Sequence, residues 1–294
     1  MKAACALTLS LTLTAPALSW AGGGPEESSF TGCTGMFPDG TIPEQVSQTV
    51  QDLCKTLDGR AIFAIRYDTK RQIPIWTAHL LTPTQMEQIN ANAGTFNRPS
   101  FTPDPEIAGD DQAVDQSYVR SGFARGHIVP AGDMAWNKDA YDLTFHFSNV
   151  VPQKQKFNNG AWRGQEDEFR EYVETKNAAM WVFSGVYGTV ENDSQSADPE
   201  GPTIGKAPNT ATVPKCYYKI VVTQGSTAGT YKTLATLYEW NDYGKRNSWP
   251  QSVTTLAQIE KRSGIQFLAG LAQESTFDAE YWGVNMPDTP ADCQ

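Results

Sequence analysis

Apolar residues occur along the chain in two patterns, one typical of strands and one typical of helices. The points where one pattern gives way to the other mark the limits of the predicted elements. Residues 61–67 and Ile73–Leu81 are dense in apolar and aromatic side chains and flank the polar turn 68–71, which predicts a hairpin of two strands. Similar runs predict further strands at 145–151, 178–187, 216–223 and 232–240.

Helices are predicted where apolar residues recur at helical spacing among charged ones. The pattern predicts them at 43–57, 84–93, 159–175 and 252–262, with Gly264 as the stop of the last. Strands and helices are mixed without regular β-α-β alternation. The chain is therefore expected to adopt an α+β fold.

The first residues have the pattern of a secretory signal peptide. Lys2 precedes an apolar run over residues 3–18, and Ser19 and Ala21 provide a small-x-small cleavage site. Cleavage is expected after Ala21, with a site near Ser19 as the alternative. A membrane anchor is disfavoured because Pro16 interrupts the run, which is short for a span. We expect a secreted or periplasmic protein without a membrane partner.

The remaining chain is long enough for one large core and shows no internal repeat. The expected division is a signal peptide at 1–21, an N-terminal extension at 22–58 and one domain at 59–294. Four cysteines remain after the signal peptide, and in an oxidising compartment they predict two disulfides. Of the three pairings, we expect Cys33–Cys54 and Cys216–Cys293, because each would tie down a terminal segment.

The net charge of −10 argues against a protein that holds nucleic acid on a broad basic face. It does not exclude an enzyme that contacts a few phosphates and releases them. Charge alone would count against a nuclease, so that interpretation has to come from particular residues. The sequence leaves the oligomeric state open.

Two segments concentrate residues suited to phosphodiester cleavage. Residues 121–134 contain Arg125 and His127, and residues 147–166 contain Asn158 and Glu166. Histidine suits a general base because its ordinary pKa of ~6.5 lies near working pH. Arginine matches phosphate oxygens with its planar fork. Mg²⁺ can be held by one or two protein oxygens, so an asparagine carbonyl is an adequate anchor.

The spacing of the second segment separates two roles. Asn158, Trp162 and Glu166 recur every four residues and would share one helical face. Glu166 would lie ~12 Å further along the helix axis than Asn158. We therefore expect Asn158 to bind the metal directly and Glu166 to reach it through a water.

These pieces together resemble the DNA/RNA non-specific endonuclease family, which includes secreted bacterial nucleases and mitochondrial endonuclease G. Three motif pieces occur in order and at fitting spacing, and looser similarity extends over most of the mature chain. The pieces are Arg125-Gly126-His127-x-x-Pro130, Ser148-Asn149-x-x-Pro152-Gln153, and Asn158-x-Gly160-x-Trp162 followed by Glu166.

The resemblance implies a ββα-metal (His-Me finger) core with a mixed, mostly antiparallel sheet and flanking helices. It also implies cleavage of DNA and RNA without marked sequence specificity, leaving 5′-phosphates, with Mg²⁺ as cofactor and Mn²⁺ as an alternative. By position, His127 matches the general base, Asn158 the direct metal ligand and Glu166 the acid that orients a metal-bound water. Arg125 matches the arginine beside the scissile phosphate, and Arg98 matches one that stabilises the transition state.

The chain departs from the family at one position, since Ala124 stands where the family usually has aspartate. If that aspartate mainly shapes the loop, activity survives; if it tunes the histidine or anchors the arginine, the rate falls. Two alternatives therefore stay open. The protein could be a nucleic-acid-binding relative with weakened catalysis, or an exported phosphodiesterase that acts on another substrate.

Each candidate also has a purely structural interpretation. His127 could be a buried histidine bonded to backbone, Asn158 a helix cap, and Glu166 and Arg98 solvated surface residues. Conversely, several polar or aromatic neighbours are expected to be structural. These are Asn149 and Gln153 as loop braces, Trp162 as a packing residue, His146 on its strand, and Lys154, Lys156 and Arg163 as either a basic rim or a solvated face.

Overall fold

A long antiparallel sheet forms the centre of the molecule. In the described part of the chain its strands lie in the order β1-β2-β3-β6-β9-β10-β11, and β12 pairs parallel to β10. Two-stranded ribbons pair β4 with β5 and β7 with β8. The strands are β1 (Val50–Leu57), β2 (Arg60–Asp68), β3 (Ile73–Leu81), β4 (Ala124–His127), β5 (Val150–Gln153), β6 (Met180–Tyr187), β7 (Thr203–Lys206), β8 (Asn209–Thr212), β9 (Cys216–Gln224), β10 (Thr230–Glu239), β11 (Val253–Thr254) and β12 (Ala272–Ser275).

The structure is a computed structural model. The predicted signal peptide at 1–21 lies outside the residues it describes, as does part of the predicted helix 43–57. The described residues are 29–45, 50–190, 202–240, 244–275 and 283–293.

Helices cover the sheet and connect its strands, so the predicted α+β class with a mostly antiparallel sheet is confirmed. None of the helices in the described ranges is long and apolar enough to cross a membrane. A wide π-helical turn, Asn158–Trp162, joins two of them. The helices are α1 (Pro83–Ala91), α2 (Asp115–Tyr118), α3 (Lys138–Leu143), α4 (Gln155–Phe157), α5 (Arg163–Lys176) and α6 (Leu256–Ser263).

The sheet is buried on both faces. Phe157, Trp162 and Phe169, from α4, the wide turn and α5, join one apolar cluster with side chains of β6 and β9. Phe30 and Phe267 belong to a second cluster, with other side chains of the same strands. Because both faces are covered, the side chains of β9 are buried from its first residue to its eighth.

The β4–β5 ribbon and the helices after it form the ββα unit that the resemblance implies. Gly126 lies at the centre of the ribbon, where a Cβ atom would stand 2.1 Å from the side-chain oxygen of Gln153. Gly160 lies in the wide turn, where a Cβ would stand 2.2 Å from the carbonyl oxygen of Gly244. Both close approaches require glycine, so these motif glycines set the shape of the unit.

The predicted helix at 43–57 is wrong in its described second half, which is strand β1. Val50, Leu53, Cys54 and Leu57 have the spacing of a helical stripe, and this misled the prediction. In the strand, Val50 and Cys54 pack against one apolar cluster while Leu53 and Leu57 pack against another on the opposite face. β1 thus belongs to the sheet although it lies within the segment 22–58.

The predicted strand at 145–151 is displaced. Phe147–Asn149 forms a single 3₁₀ turn, and the strand β5 begins only at Val150. The side chain of Asn149 explains the interruption, since its amide donates to the carbonyl of Thr144 at 3.0 Å and holds the chain in a turn.

Both expected disulfides are present, Cys33–Cys54 and Cys216–Cys293. The first fastens the 3₁₀ helix Ser29–Met36 to β1. The second ties the C-terminal segment to the start of β9. The pairing expected from the sequence is therefore confirmed.

We expect the two disulfides to differ in their contribution to stability. The Cys216–Cys293 bond joins residues 77 apart and the Cys33–Cys54 bond residues 21 apart, so loop-closure entropy predicts losses of about 4.5 and about 3 kcal/mol on removal. The free energy of unfolding of the two double alanine variants, measured in urea, tests this order. Equal losses, or a larger loss for the short loop, would contradict it.

Candidate active site

The ribbon fixes the backbone of His127. His127 pairs with Val150, and its carbonyl accepts a hydrogen bond from the indole N–H of Trp162 at 3.3 Å. Asn149 braces the following loop, because its side chain accepts from the N–H of Val129 at 2.8 Å and donates to that residue's carbonyl at 3.0 Å. The imidazole is therefore carried by a backbone that is held on both sides, and the bracing role expected of Asn149 is confirmed.

His127 lines a cleft of about 310 Å³ together with residues of the wide turn and α5. Four of the five site residues predicted from sequence meet there: Arg98, His127, Asn158 and Glu166. Arg125 is not among the residues that line it. The rest of the wall consists of Pro130, Ala131, Gly132, Tyr141, Phe145, Asn159, Arg163 and Arg170.

A larger cavity, of about 640 Å³, lies near the β1–β2 turn. Leu57, Leu80 and Trp136 are among the residues that line it, and its charged side chains are Asp58 and Arg60. None of the predicted site residues reaches it. The smaller cleft is therefore the candidate active site.

The imidazole of His127 lies against two phenyl rings. The ring centroids of Phe101 and Phe145 are 5.1 and 4.7 Å from its own. The guanidinium of Arg98 lies over the same two rings, 5.5 and 5.2 Å from their centroids. Nε2 of His127 is enclosed and has no hydrogen-bond partner in the described part of the chain. His127 and Arg98, both in the cleft wall, thus pack against the same two rings, which form an aromatic support for them.

Burial, and after it the charge of Arg98, lower the pKa of His127 to about 3. The imidazole is therefore unprotonated at neutral pH and can accept a proton. A phosphate anion in the cleft would oppose the charge of Arg98 and raise this pKa towards the working pH. The electrostatics thus favour a base that becomes stronger when an anionic substrate is bound.

The lowered pKa predicts that His127 makes the protein sensitive to acid. Below pH ~6.5 the unfolded chain takes up a proton at this histidine while the folded protein, with a pKa of about 3, does not. Stability should therefore fall with pH, and His127 should account for a loss of about 2 kcal/mol between pH 7 and pH 5. Urea unfolding of wild type and His127→Gln at both pH values measures this, and parallel losses in the two proteins would contradict it.

Arg125 is held outside the cleft lining. Its guanidinium pairs with the carboxylate of Asp115 at 2.6 Å and donates to the carbonyl of the same residue at 3.2 Å. It also lies 5.9 Å from the ring centroid of Phe101, the ring that contacts His127. Ala124 stands where the family motif usually has aspartate. The carboxylate beside Arg125 comes from Asp115 instead.

Glu166 reaches the cleft from the first turn of α5, with its side chain 12% exposed. Its Oε1 lies 3.4 Å from Nζ of Lys219 and is enclosed. Burial raises the pKa of Glu166 to about 7, although the charge of Lys219 opposes this. Burial also lowers the pKa of Lys219. The pair places a carboxylate at the cleft wall with a buried ammonium behind it.

A second buried ionic group, which was not predicted from the sequence, lies beside the cleft. Arg170 donates to Oδ1 of Asp133 at 2.5 Å, and Oδ2 of Asp133 is hydrogen-bonded to Nε2 of His79 at 3.0 Å. Burial alone would raise the pKa of Asp133, but the hydrogen bond with His79 and the charge of Arg170 outweigh it and hold the pKa below its ordinary value. Arg170 follows Glu166 by four residues, and this helical spacing could have revealed it.

The cleft offers donors that fit a hydrated divalent cation. Asn158 contributes an amide carbonyl and Glu166 a carboxylate, which are the oxygen ligands that Mg²⁺ prefers. The backbone of Asn158 is helical (φ −54°, ψ −44°), so this residue ends α4 and is not the N-cap of α5. Its capping interpretation is therefore wrong, and its side chain is not needed at a helix end.

The charge of the cleft differs from that of the whole chain. Among the described residues its wall includes Arg98, Arg163 and Arg170 and one carboxylate, from Glu166, while the chain carries −10 overall. Arg170 is largely neutralised by Asp133, which leaves two arginines to attract an anion. A locally basic cleft can bind phosphate on an acidic protein, which removes the objection based on net charge.

Two structural expectations have different outcomes. Trp162 is buried, with its ring centroid 6.1 Å from Tyr217 and 6.0 Å from Tyr238, so its packing role is confirmed. Gln153 was expected to brace the loop by side-chain hydrogen bonds, but its amide has no partner within the described ranges. It fills the space beneath Gly126 instead.

Comparison with known proteins agrees with this geometry. The family model for DNA/RNA non-specific endonucleases matches residues 46–274. Human mitochondrial nuclease EXOG is 27% identical over 82% of this chain and 65% of its own length. Bovine mitochondrial endonuclease G is 29% identical over 70% of this chain and 61% of its own length, and a nuclease of a Nostoc species is 26% identical over 71% of this chain and 72% of its own.

A solved structure shares the fold. The crystal structure of an EndoG/EndoGI complex superposes with a TM-score of 0.60 at 23% identity, over 73% of this chain and 84% of that one. The matched region spans less than two thirds of the mitochondrial EXOG and endonuclease G sequences named above. The family model nevertheless covers most of the chain and includes every residue of the cleft. The chain therefore belongs to the DNA/RNA non-specific endonuclease family.

Proposed function

We propose that this protein is an exported, Mg²⁺-dependent endonuclease that hydrolyses DNA and RNA without marked sequence preference and leaves 5′-phosphates. One observation carries the proposal. A single cleft contains an unprotonated imidazole from His127, oxygen donors from Asn158 and Glu166, and the guanidinium of Arg98. Phosphodiester hydrolysis needs a base, a site for a cation and a phosphate-binding group, and the family of the chain agrees with this assignment.

In the proposed mechanism His127 accepts the proton of the water that attacks phosphorus, and the bond to the 3′ oxygen breaks. Arg98 would stabilise the charge of the transition state, and Arg125, beside the ring of Phe101, would lie next to the scissile phosphate. Asn158 would hold Mg²⁺ directly, with Glu166 holding it through a water. When bound, the ion would neutralise charge on the phosphate and on the leaving oxygen. The aromatic support of His127 keeps the imidazole in place and shields it from solvent.

Low sequence specificity follows from the kinds of groups in the cleft. Arginines and a metal site contact phosphates, which are the same in every sequence, and a 2′-hydroxyl is not required for attack by water. DNA and RNA are therefore both proposed as substrates.

Export is proposed from the N-terminal pattern and from the two disulfides, which persist in oxidising compartments. We propose that residues 1–21 are removed and that 59–294 carry the nuclease, with 22–58 as an N-terminal extension whose strand β1 joins the sheet of the nuclease. Several relatives are named mitochondrial, so the compartment needs its own test. Fractionation of the source cells, with mass spectrometry of the mature N-terminus, gives it.

The activity is tested with purified mature protein on supercoiled plasmid and on RNA. We expect degradation of both with Mg²⁺ and none with EDTA, and 5′-phosphate ends on the products. Salt-sensitive binding without cleavage would instead support the alternative suggested by Ala124, a nucleic-acid-binding relative with weakened catalysis. Hydrolysis of small model diesters without cleavage of nucleic acid would support a different phosphodiesterase.

A further inference from the structure

Lys219 is a buried charge at the centre of the sheet. It lies on β9 between Ser184 of β6 and Thr236 of β10, and its side chain has no exposed surface. Lysine is almost never fully buried unless it is paired, because removing an ammonium from water is costly. Lys219 lies on an inner strand that is paired on both sides, so a specific partner is needed to offset the cost of burying its charge.

The ammonium of Lys219 is enclosed by three groups. Nζ lies 3.4 Å from Oε1 of Glu166, 3.2 Å from Oγ of Ser184 and 3.8 Å from the ring centroid of Trp162. Oε1 has almost no accessible surface, while Glu166 still forms part of the cleft wall. Oε1 has no hydrogen-bond partner among the described residues, so the ammonium of Lys219 meets the carboxylate as an ionic contact at this enclosed oxygen.

We propose that Lys219 is a positioning residue for the reaction, which holds Glu166 from within the sheet so that its carboxylate is presented to the cleft. The inference rests on the proposed function and on the role given there to Glu166. A buried ion pair adds little net stability compared with a well-packed apolar pair, so stability alone is a weak reason for it. A group that orients a ligand of the metal site commonly affects metal affinity or activity by about 10–100-fold.

A double-mutant cycle tests the inference, using Lys219→Met, Glu166→Gln and the variant with both. Methionine keeps the length and apolar body of lysine but removes the ammonium. We expect K219M to lower kcat on plasmid about 10–100-fold with a change in KM below about 3-fold, and to weaken Mn²⁺ binding in calorimetry about tenfold. In the E166Q background, K219M should lower kcat and Mn²⁺ affinity by less than a further factor of about 3.

Lys232→Met on the neighbouring strand β10 is a matched control, because it removes an ammonium near the carboxylate of Glu274 at the edge of the sheet. It should leave kcat and Mn²⁺ affinity unchanged. If K219M alone fails to fold, Ser184→Ala takes its place, since it removes a contact of the ammonium and keeps the ion pair. It should lower kcat about 2–5-fold with Glu166 present and not in E166Q, as expected for one hydrogen bond.

The outcomes separate the inference from the proposed function. Equal losses in both backgrounds, or wild-type kcat and Mn²⁺ affinity in K219M, would overturn the positioning role. Wild-type values in E166Q would remove the assigned role of Glu166 and the inference with it. Failure of the wild-type protein to cleave plasmid is a separate result, because it rejects the nuclease while the Mn²⁺ cycle still reports whether Lys219 acts through Glu166.

Discussion

Replacement of His127 by alanine is expected to lower kcat on DNA and RNA by about 10²–10⁴-fold, the usual contribution of a positioned general base. His127 is the one histidine of the cleft wall, and it is unprotonated at neutral pH because burial lowers its pKa to about 3. Loss of the imidazole removes the proton acceptor but leaves Arg98 and Asn158 in place. KM should therefore change by less than about 3-fold, because phosphate binding is retained.

His146→Ala is the matched control for this experiment. His146 is close in sequence, half-buried and 3.8 Å from the carboxylate of Asp104, but it does not line the cleft. Its removal should leave kcat within about 3-fold of wild type, the range of an ordinary change outside the site. Imidazole added to the His127→Ala protein should restore part of the lost activity. A His127→Ala variant within tenfold of wild type would reject this residue as the base.

The hairpin of β2 and β3 could be predicted because its determinants are local. Apolar residues occupy both strands, and the turn between them is formed by Asp68, whose Oδ1 accepts from the N–H groups of Lys70 and Arg71, each at 2.9 Å. Strand β1 could not be predicted in the same way. Its apolar residues fit a helix as well as a strand, and only pairing with β2 decides between them.

The core of the site could be predicted because its parts are close in the chain and fixed by motif residues. The glycines of the motif, the pairing of β4 with β5 and the turn into α5 bring His127, Asn158 and Glu166 to one cleft. Asn158, Trp162 and Glu166 do not share one face as expected from their spacing. The wide π-helical turn places Trp162 in the core while Asn158 and Glu166 reach the cleft.

The supporting charges could not be predicted, since their partners are distant in sequence. Lys219 lies within an apolar strand, which predicts burial, but nothing near it identifies Glu166 as its partner. Arg125 pairs with Asp115, ten residues earlier at the start of α2, and no local pattern identifies that partner either. Long-range ionic contacts form only when the sheet and α5 pack together, so local sequence patterns do not encode them.

Replacement of Asn158 by alanine is expected to lower kcat/KM about 10²–10³-fold and to raise the Mg²⁺ concentration needed for half-maximal activity. Loss of an inner ligand removes several kcal/mol of charge stabilisation, and each 1.4 kcal/mol corresponds to about tenfold in rate. Asn158 ends α4 through its backbone N–H and is not the N-cap of α5, so the fold should tolerate the loss of its side chain. Asn158→Ala therefore separates an effect on metal binding from an effect on stability more cleanly than a substitution in the buried ionic group of Asp133 and Arg170 would.

The measurement is activity as a function of Mg²⁺ concentration, with Mn²⁺ binding followed by calorimetry and unfolding by urea. Asn90→Ala is the matched control, because Asn90 is an exposed residue of α1 bonded to Glu174 and does not line the cleft. It should keep the wild-type Mg²⁺ dependence. If Asn158→Ala instead loses activity with an unchanged Mg²⁺ midpoint and unchanged Mn²⁺ affinity, Asn158 does not hold the metal, and Glu166 becomes the remaining candidate for its direct ligand.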